Sequence, residues 1–303
     1  MPDAAAPRRA GIPPRFARPL ALAAKGELPP NVALMHILIE AEDEAEARAI
    51  LAAVAAEEHA AAEMLRLLDA HPAAFRTVKA VLDRVVHDEE AEARPAGETV
   101  RALAAAFDEA ARAAPEASVA LYALGSPELL LAATAEIVAA LRRWGVVARD
   151  RRMLEIGCGI GRFEEALAGE LALAVGIDVA AAMLRAARAR CAGLANVSFL
   201  HTSGLDLAPF RDRSFDFVLA VDSFPYLFQA GSGLVARHVA EAARVLRPGG
   251  DLVILNLSYR DDLGEDRRDL AALATGAFDL RRDGTREFRH WDGAAFHLVR
   301  REA

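Results

Sequence analysis

Lysine is almost missing from this 303-residue chain: Lys25 and Lys79 are the only two, and arginine supplies the other side-chain cations. The formal net charge is −8. That balance argues against broad nucleic-acid binding, which needs many phosphate-neutralising cations. Cysteine is as scarce. Cys158 and Cys191 stand far apart and outside any C-x-x-C pair, so no zinc ribbon, redox motif or disulfide framework is encoded, and a reducing, cytoplasmic setting fits. No uninterrupted apolar run approaches the ~18 residues of a membrane span. The N-terminal segment, with Arg8, Arg9, Arg15 and Arg18 among prolines, lacks the apolar core of a signal peptide. Metal-ligand spacing is absent too. His36, His59 and His71 lie in a helical stretch, but the residue three before His59 is Ala56 rather than Glu, and no H-E-x-x-H occurs.

Apolar residues make up 54% of the chain and charged residues 26%, enough to bury a core and too apolar for disorder. Residues 1–30 are proline-rich and read as an irregular leader. Helical patterning then runs for more than a hundred residues: Val32–Ile39 with Asn31 as its cap, an alanine-rich stripe over Glu42–Leu68, and an amphipathic segment over Phe75–Val86. Residues 31–95 are expected to form a helical N-terminal domain, a candidate module for a homodimer. Asp88-Glu89-Glu90 and Pro95-Ala96-Gly97 mark its boundary, and residues 96–303 are expected to form the second domain. A helix over Thr99–Ala113 follows. Ser126-Pro127-Glu128 then provides the cap, first-turn proline and early acid of a helix that ends at Gly145.

Beyond Gly145 the pattern changes to alternating strand and helix, the mark of an α/β parallel sheet. Strands are expected at Met153–Ile156, Leu171–Ile177, Val197–His201, Phe215–Val221 and Leu252–Leu257, with Arg247–Gly250 as a tight turn before the fifth. Patterns near Phe278–Leu280 and Phe296–Val299 supply a terminal hairpin. The informative stretch is Met153 to Phe163, Met-Leu-Glu-Ile-Gly-Cys-Gly-Ile-Gly-Arg-Phe. A buried strand carrying Glu155 runs into Gly157, Gly159 and Gly161, and a helix starts at once. Such a turn offers backbone N–H groups to a ligand at the carboxyl ends of the strands. A dinucleotide fingerprint needs glycine where Arg162 stands, which disfavours a nicotinamide-dependent oxidoreductase.

The series Glu-x-Gly-x-Gly-x-Gly resembles the first motif of the class I S-adenosylmethionine (SAM)-dependent methyltransferases. Four further stretches fit the same family in order. Asp178, about 20 residues beyond Gly157, opens Asp178-Val179-Ala180-Ala181-Ala182-Met183-Leu184, similar to Asp-x-Ser-x-x-Met-Leu with Ala180 in place of serine. Thr202-Ser203-Gly204 stands where the family has an acidic adenine contact. Ser214–Val218 and Arg244–Gly250 match the entries to the fourth and fifth strands.

The resemblance implies a Rossmann-like methyltransferase fold with a mostly parallel seven-stranded sheet and SAM as cofactor. It assigns cofactor contacts to Glu155, Gly157, Cys158, Gly159, Gly161, Asp178, Val179, Met183, Ser203, Gly204 and Asp222. Asp222 and Tyr226 are the candidate catalytic residues. Tyr122, Tyr259 and Trp291 are expected to face a small-molecule acceptor, as aromatics are few (6%) and several fall in loops. No membrane partner is expected. The second reading is a SAM-fold protein without catalysis that serves as a binding or regulatory module, resting on Ala180 and Ser203.

Overall fold

The computed structural model describes residues 12–84 and 94–302. Two compact units are present. The first is Met1–Arg84 with Ala113–Ala133 and Phe288–Asp292; the second is Val85–Arg112, Thr134–Glu287 and Gly293–Ala303. This partition does not follow a single cut near residue 95, because two later segments pack with the N-terminal helices.

The first unit is helical: α1 (Pro14–Ala24), α2 (Pro30–Glu40), α3 (Glu44–Ala55), α4 (His59–Ala70) and α5 (Ala74–Leu82). The expectation of an irregular leader through residue 30 is corrected by α1. Pro14 sits in its first turn, where the missing N–H costs nothing, and Phe16, Leu20 and Ala23 are buried on one face. Residues 1–11 lie outside the described residues. The alanine-rich stretch forms two helices rather than one stripe. A turn at residues 56–58 separates them, so that Leu51 and Met64 meet in the core from different helices. Asn31 is not the cap of α2. It lies inside the helix, buried, and its Nδ2 donates to the carbonyls of Tyr122 (3.0 Å) and His290 (2.9 Å). One amide thereby ties both later segments into the helical unit, satisfying two buried carbonyls that would otherwise be costly.

The second unit contains α6 (Ala96–Ala113, its last residue assigned to the first unit) and a seven-stranded sheet. The expected acidic linker at Asp88–Glu90 lies outside the described residues, while Ala96 and Gly97 belong to α6 rather than to a break. After α7 (Pro115–Val119) comes α8 (Pro127–Arg143), which starts as the sequence indicates: Ser126 Oγ accepts from the Leu129 N–H. The strands are β1 (Arg152–Ile156), β2 (Leu173–Asp178), β3 (Val197–His201), β4 (Phe215–Val221), β5 (Leu246–Leu255), β6 (Phe278–Thr285) and β7 (Ala295–Arg300).

Their order is β3-β2-β1-β4-β5-β7-β6. β1 to β5 run parallel, and β7 is antiparallel to both β5 and β6. The strand order reverses between β2-β1 and β1-β4, the switch point where α/β sheets bind ligands. Intervening helices are α9 (Arg162–Leu167), α10 (Ala181–Arg190), α11 (Phe224–Gln229), α12 (Ser232–Val245) and α13 (Leu263–Ala274).

One expectation changes in this unit, and two helices join the pattern. Arg247–Gly250 is a bulge inside β5, not a turn before it: pairing steps from Phe215–Leu246 to Phe217–Asp251, and Gly249 absorbs the slack at φ +73°. Phe224-Pro225-Tyr226 forms the start of α11, with Pro225 in the helix's first turn. Helix α13 precedes the terminal hairpin, and Asp262 caps it by accepting from the Glu265 N–H (2.8 Å). The Asp262-x-x-Glu265 spacing carried that signal in the sequence.

Candidate active site

The glycine turn joins β1 to α9. Gly157, Gly159 and Gly161 all take positive φ (+74°, +52° and +74°), which ordinary side chains rarely adopt. Space reinforces the requirement: a Cβ on Gly161 would lie 2.9 Å from the Phe199 ring, and one on Gly157 2.6 Å from the Ser223 Cβ. The turn is stitched to β2. The N–H groups of Gly157 and Cys158 both donate to the Ile177 carbonyl, and the Gly159 N–H donates to Asp178 Oδ2 at 2.9 Å. Asp178 Oδ1 accepts from the Ala180 N–H at 2.8 Å. Each oxygen thus keeps a lone pair for a ligand. Burial raises the Asp178 carboxyl above its ordinary value, against these backbone donors, which lower it.

Glu155 and Glu164 lie behind the turn, 1% and 0% exposed. Glu155 Oε2, both oxygens of Glu164 and Ser223 Oγ have no hydrogen-bond partner. Removal from water pushes the Glu155 carboxyl well up, with Glu164 close by as the next cause. The Glu164 carboxyl is pushed up to about 7, again chiefly by burial. Cys158 is buried, and its thiol is raised by desolvation, so it packs as a neutral side chain rather than serving as a nucleophile.

At the β2 exit the Thr202 N–H donates to the Asp178 carbonyl, and His201 Nε2 pairs with the Val179 carbonyl at 2.9 Å. Gly204 has φ +69°, and a Cβ there would lie 2.5 Å from Val179 Cγ1. Ser203 is exposed, and its Oγ accepts from the Leu205 N–H at 3.3 Å. Met183 is buried in α10. That helix has alanine at its N-cap, but its Ala182 N–H is met by Asp108 Oδ1 from α6 at 2.5 Å. A carboxylate from elsewhere in the unit therefore does the capping that a serine at position 180 would do.

Asp222 and Asn256 stand at the exits of adjacent strands β4 and β5. Both are non-glycine residues at positive φ (+52° and +70°), and Asn256 Nδ2 donates to Asp222 Oδ1 at 2.9 Å. Strained backbone of this kind gathers at functional sites. Sequence reading found Asp222 and missed Asn256, which has no motif of its own. Tyr226 packs edge-on against Phe107 (centroids 4.9 Å) and Tyr259 (5.8 Å). Burial and the Asp222 charge push its phenol up to about 12. Tyr259 is half exposed, whereas Tyr122 and Trp291 are not on a surface: they are 6% and 2% exposed within the helical unit.

Residues 154–254, about a third of the chain, match the family model described as "Methyltransferase domain". The demethylmenaquinone methyltransferase of Tropheryma whipplei (strain Twist) is 37% identical over 121 residues, covering 40% of this chain and 47% of that protein. O-methyltransferase cnsE of Penicillium expansum is 35% identical over 114 residues, covering 36% of this chain and 39% of that protein. The chain thus spans less than half the length of these relatives. Among solved structures, phosphoethanolamine N-methyltransferase 1 of Haemonchus contortus superposes with a TM-score of 0.51 at 17% identity, covering 69% of this chain and 49% of that one. The second unit is an α/β domain of Rossmann-like methyltransferase architecture. Within it, residues 154–254 are the stretch that matches the methyltransferase-domain family model.

Proposed function

We propose that the chain is a SAM-dependent methyltransferase that methylates a small-molecule acceptor. The observation that carries this reading is the set of polar groups around Gly157. Glu155 Oε2 and Ser223 Oγ are buried there without partners, beside an Asp178 carboxylate fixed on two backbone N–H groups. Orphaned buried polar atoms are rare and call for an explanation, and a cofactor carrying an ammonium and ribose hydroxyls supplies it.

Bound SAM contributes an activated methyl group on a sulfonium. The chain's own residues bind and aim. Asp178 accepts the ribose hydroxyls through its remaining lone pairs, Glu155 faces the methionyl ammonium, and the glycines let the backbone approach. Val179, Met183, Ser203 and Gly204 border the adenine. Asp222, its orientation set by Asn256, stands where the acceptor enters and takes a proton when the acceptor must lose one. Tyr226 stays protonated across the ordinary pH range, so it acts as a hydroxyl donor and an aromatic wall, not as a base. Alignment and exclusion of water supply the remaining rate enhancement.

The acidic charge balance supports a small-molecule acceptor over nucleic acid, the cysteine usage supports a cytoplasmic setting, and the helical unit is the candidate surface for a homodimer. Among the described residues no helix is long and apolar enough to cross a membrane. Titration calorimetry tests the cofactor assignment. SAM and S-adenosylhomocysteine are expected to bind with similar affinity and NAD not at all; NAD binding with silence toward SAM would overturn the reading.

A further inference from the structure

The Glu155–Glu164 pair is closely packed. In the β1–β2 register Glu155 is the partner of Gly176, and a Cβ built on Gly176 would collide with Glu164 Oε1 and lie 2.8 Å from Cys158 Sγ. Glu164 therefore reaches from α9 onto the sheet at the residue beside Glu155. Two carboxylates so placed cannot both be ionised without a cation between them. The surroundings supply little compensation. Asp178 at the β2 exit adds a third acid, and Cys158 in the turn and Cys191 on α10 are raised thiols. The His201 charge on β3 lowers Asp178, and the Arg162 charge on α9 lowers Glu155. The Arg162 guanidinium lies 4.5 Å over the Phe163 ring and reaches Thr134 Oγ1 at 3.4 Å. Three of the pair's four oxygens have no hydrogen-bond donor. A proton shared between the two carboxyls removes most of that deficit.

We infer that Glu164 is a second carboxyl of the cofactor site, and that the Glu155–Glu164 pair holds one proton which it releases to solvent when the cofactor's methionyl ammonium docks. The inference rests on the cofactor reading above. The balance is simple: one O–H bond breaks, the proton passes to buffer, and the ammonium's charge replaces it beside the carboxylates. No oxidant or further reactant is needed.

The test is calorimetry on the full chain with S-adenosylhomocysteine, which carries the same ammonium and cannot react. Measured in two buffers of unlike ionisation heat near pH 6, binding should release close to one proton. Affinity should rise by up to about tenfold per pH unit below pH ~7 and flatten above it. In Glu164→Gln the step near pH ~7 should be lost or moved, because the carboxyl that titrates there is gone, while binding is still measurable. Buffer-independent heats with a flat pH profile in the wild-type chain overturn the inference.

The unliganded chain separates this failure from failure of the cofactor reading. Because Glu164 titrates higher folded than unfolded, the pair's stabilising effect is fully present below the unfolded carboxyl range and is lost as pH rises through about 7. Infrared spectra of the unliganded wild-type chain should show a protonated-carboxyl stretch at pH ~6 that fades across that rise. Its absence at pH ~6 overturns the shared proton whether or not any ligand binds. Its presence, with no binding of S-adenosylhomocysteine, overturns the assignment of Glu164 to a cofactor site and leaves the pair a purely structural one.

Discussion

The two ends of the parallel sheet bury acids in opposite ways. At the amino-terminal end, Asp251 of β5 is met on both oxygens: Arg151 reaches Oδ2 at 2.5 Å and His297 Nε2 lies 2.7 Å from Oδ1. Trp144 stacks on His297 (6.3 Å), and the Arg282 guanidinium lies 4.5 Å from the centre of the same indole. At the carboxyl-terminal end, Glu155, Glu164 and Ser223 keep polar atoms with no partner. Both clusters sit in one unit and one sheet, so the difference is not a matter of overall packing. An acid met on both oxygens within the chain gives rigidity and leaves those oxygens nothing to gain from a ligand. A network left incomplete lowers stability at that place and reserves its hydrogen bonds for something that arrives later.

The sharpest way to break the comparison is at the satisfied end. Asp251→Ala would leave His297 Nε2 without its partner and Arg151 with only the Gly145, Val146 and Asp216 carbonyls, and should lower folding stability by about 2–3 kcal/mol, below the full cost of breaking a buried ion pair. Cofactor affinity of the molecules that remain folded should be unchanged. Chemical denaturation beside calorimetry measures both, and a variant as stable as the parent would mean the cluster is not the strut its geometry implies.

Asp178→Ala probes the other end and should act the other way round. Cofactor binding should weaken by about 1.5–3 kcal/mol as two charge-assisted contacts to ribose are lost. Stability should fall by less, about 1 kcal/mol, through the released Gly159 and Ala180 N–H groups. An unaltered SAM affinity in a folded variant would reduce Asp178 to a turn-stabilising residue.

How much of this contrast was legible in the sequence depends on how local its cause is. The glycine turn and the strand pattern, with Asp178 at the end of β2, are legible because each follows from residues within one βαβ unit. The Asp251–His297–Arg151 cluster was invisible, since its members are far apart in sequence and meet only when β5 pairs with β7 in the register Val253–His297. Glu164 belongs to no motif, and its closeness to Gly176 shows where it points. Tyr122 and Trp291 were misread for a related reason. Scarce aromatics in apparent loops suggest a binding surface, but here both segments are packed in a helical core, where the Asn31 amide bonds their carbonyls. The 1–30 leader was misread because proline content hid the Phe16–Leu20–Ala23 face of α1.

The smallest expected effect concerns how the cofactor end is held in shape. The α10 N-terminus faces the Asp178 exit with alanine at the cap, and nothing in its own sequence closes the helix. Asp108 does so from α6, some seventy residues earlier, through the Ala182 N–H. A carboxylate there also meets the positive end of the helix dipole. Asp108→Ala should therefore cost about 1 kcal/mol of stability, the usual value of an N-cap. Cofactor affinity should fall only slightly, because Asp178 keeps its own donors from Gly159 and Ala180. The double variant Asp108→Ala with Ala180→Ser should recover most of the loss, since a serine hydroxyl at the cap can accept from the same turn. A single variant with unchanged stability, or a serine that restores nothing, would show that α10 is held by its packing against β2 and β3 and not by the borrowed cap.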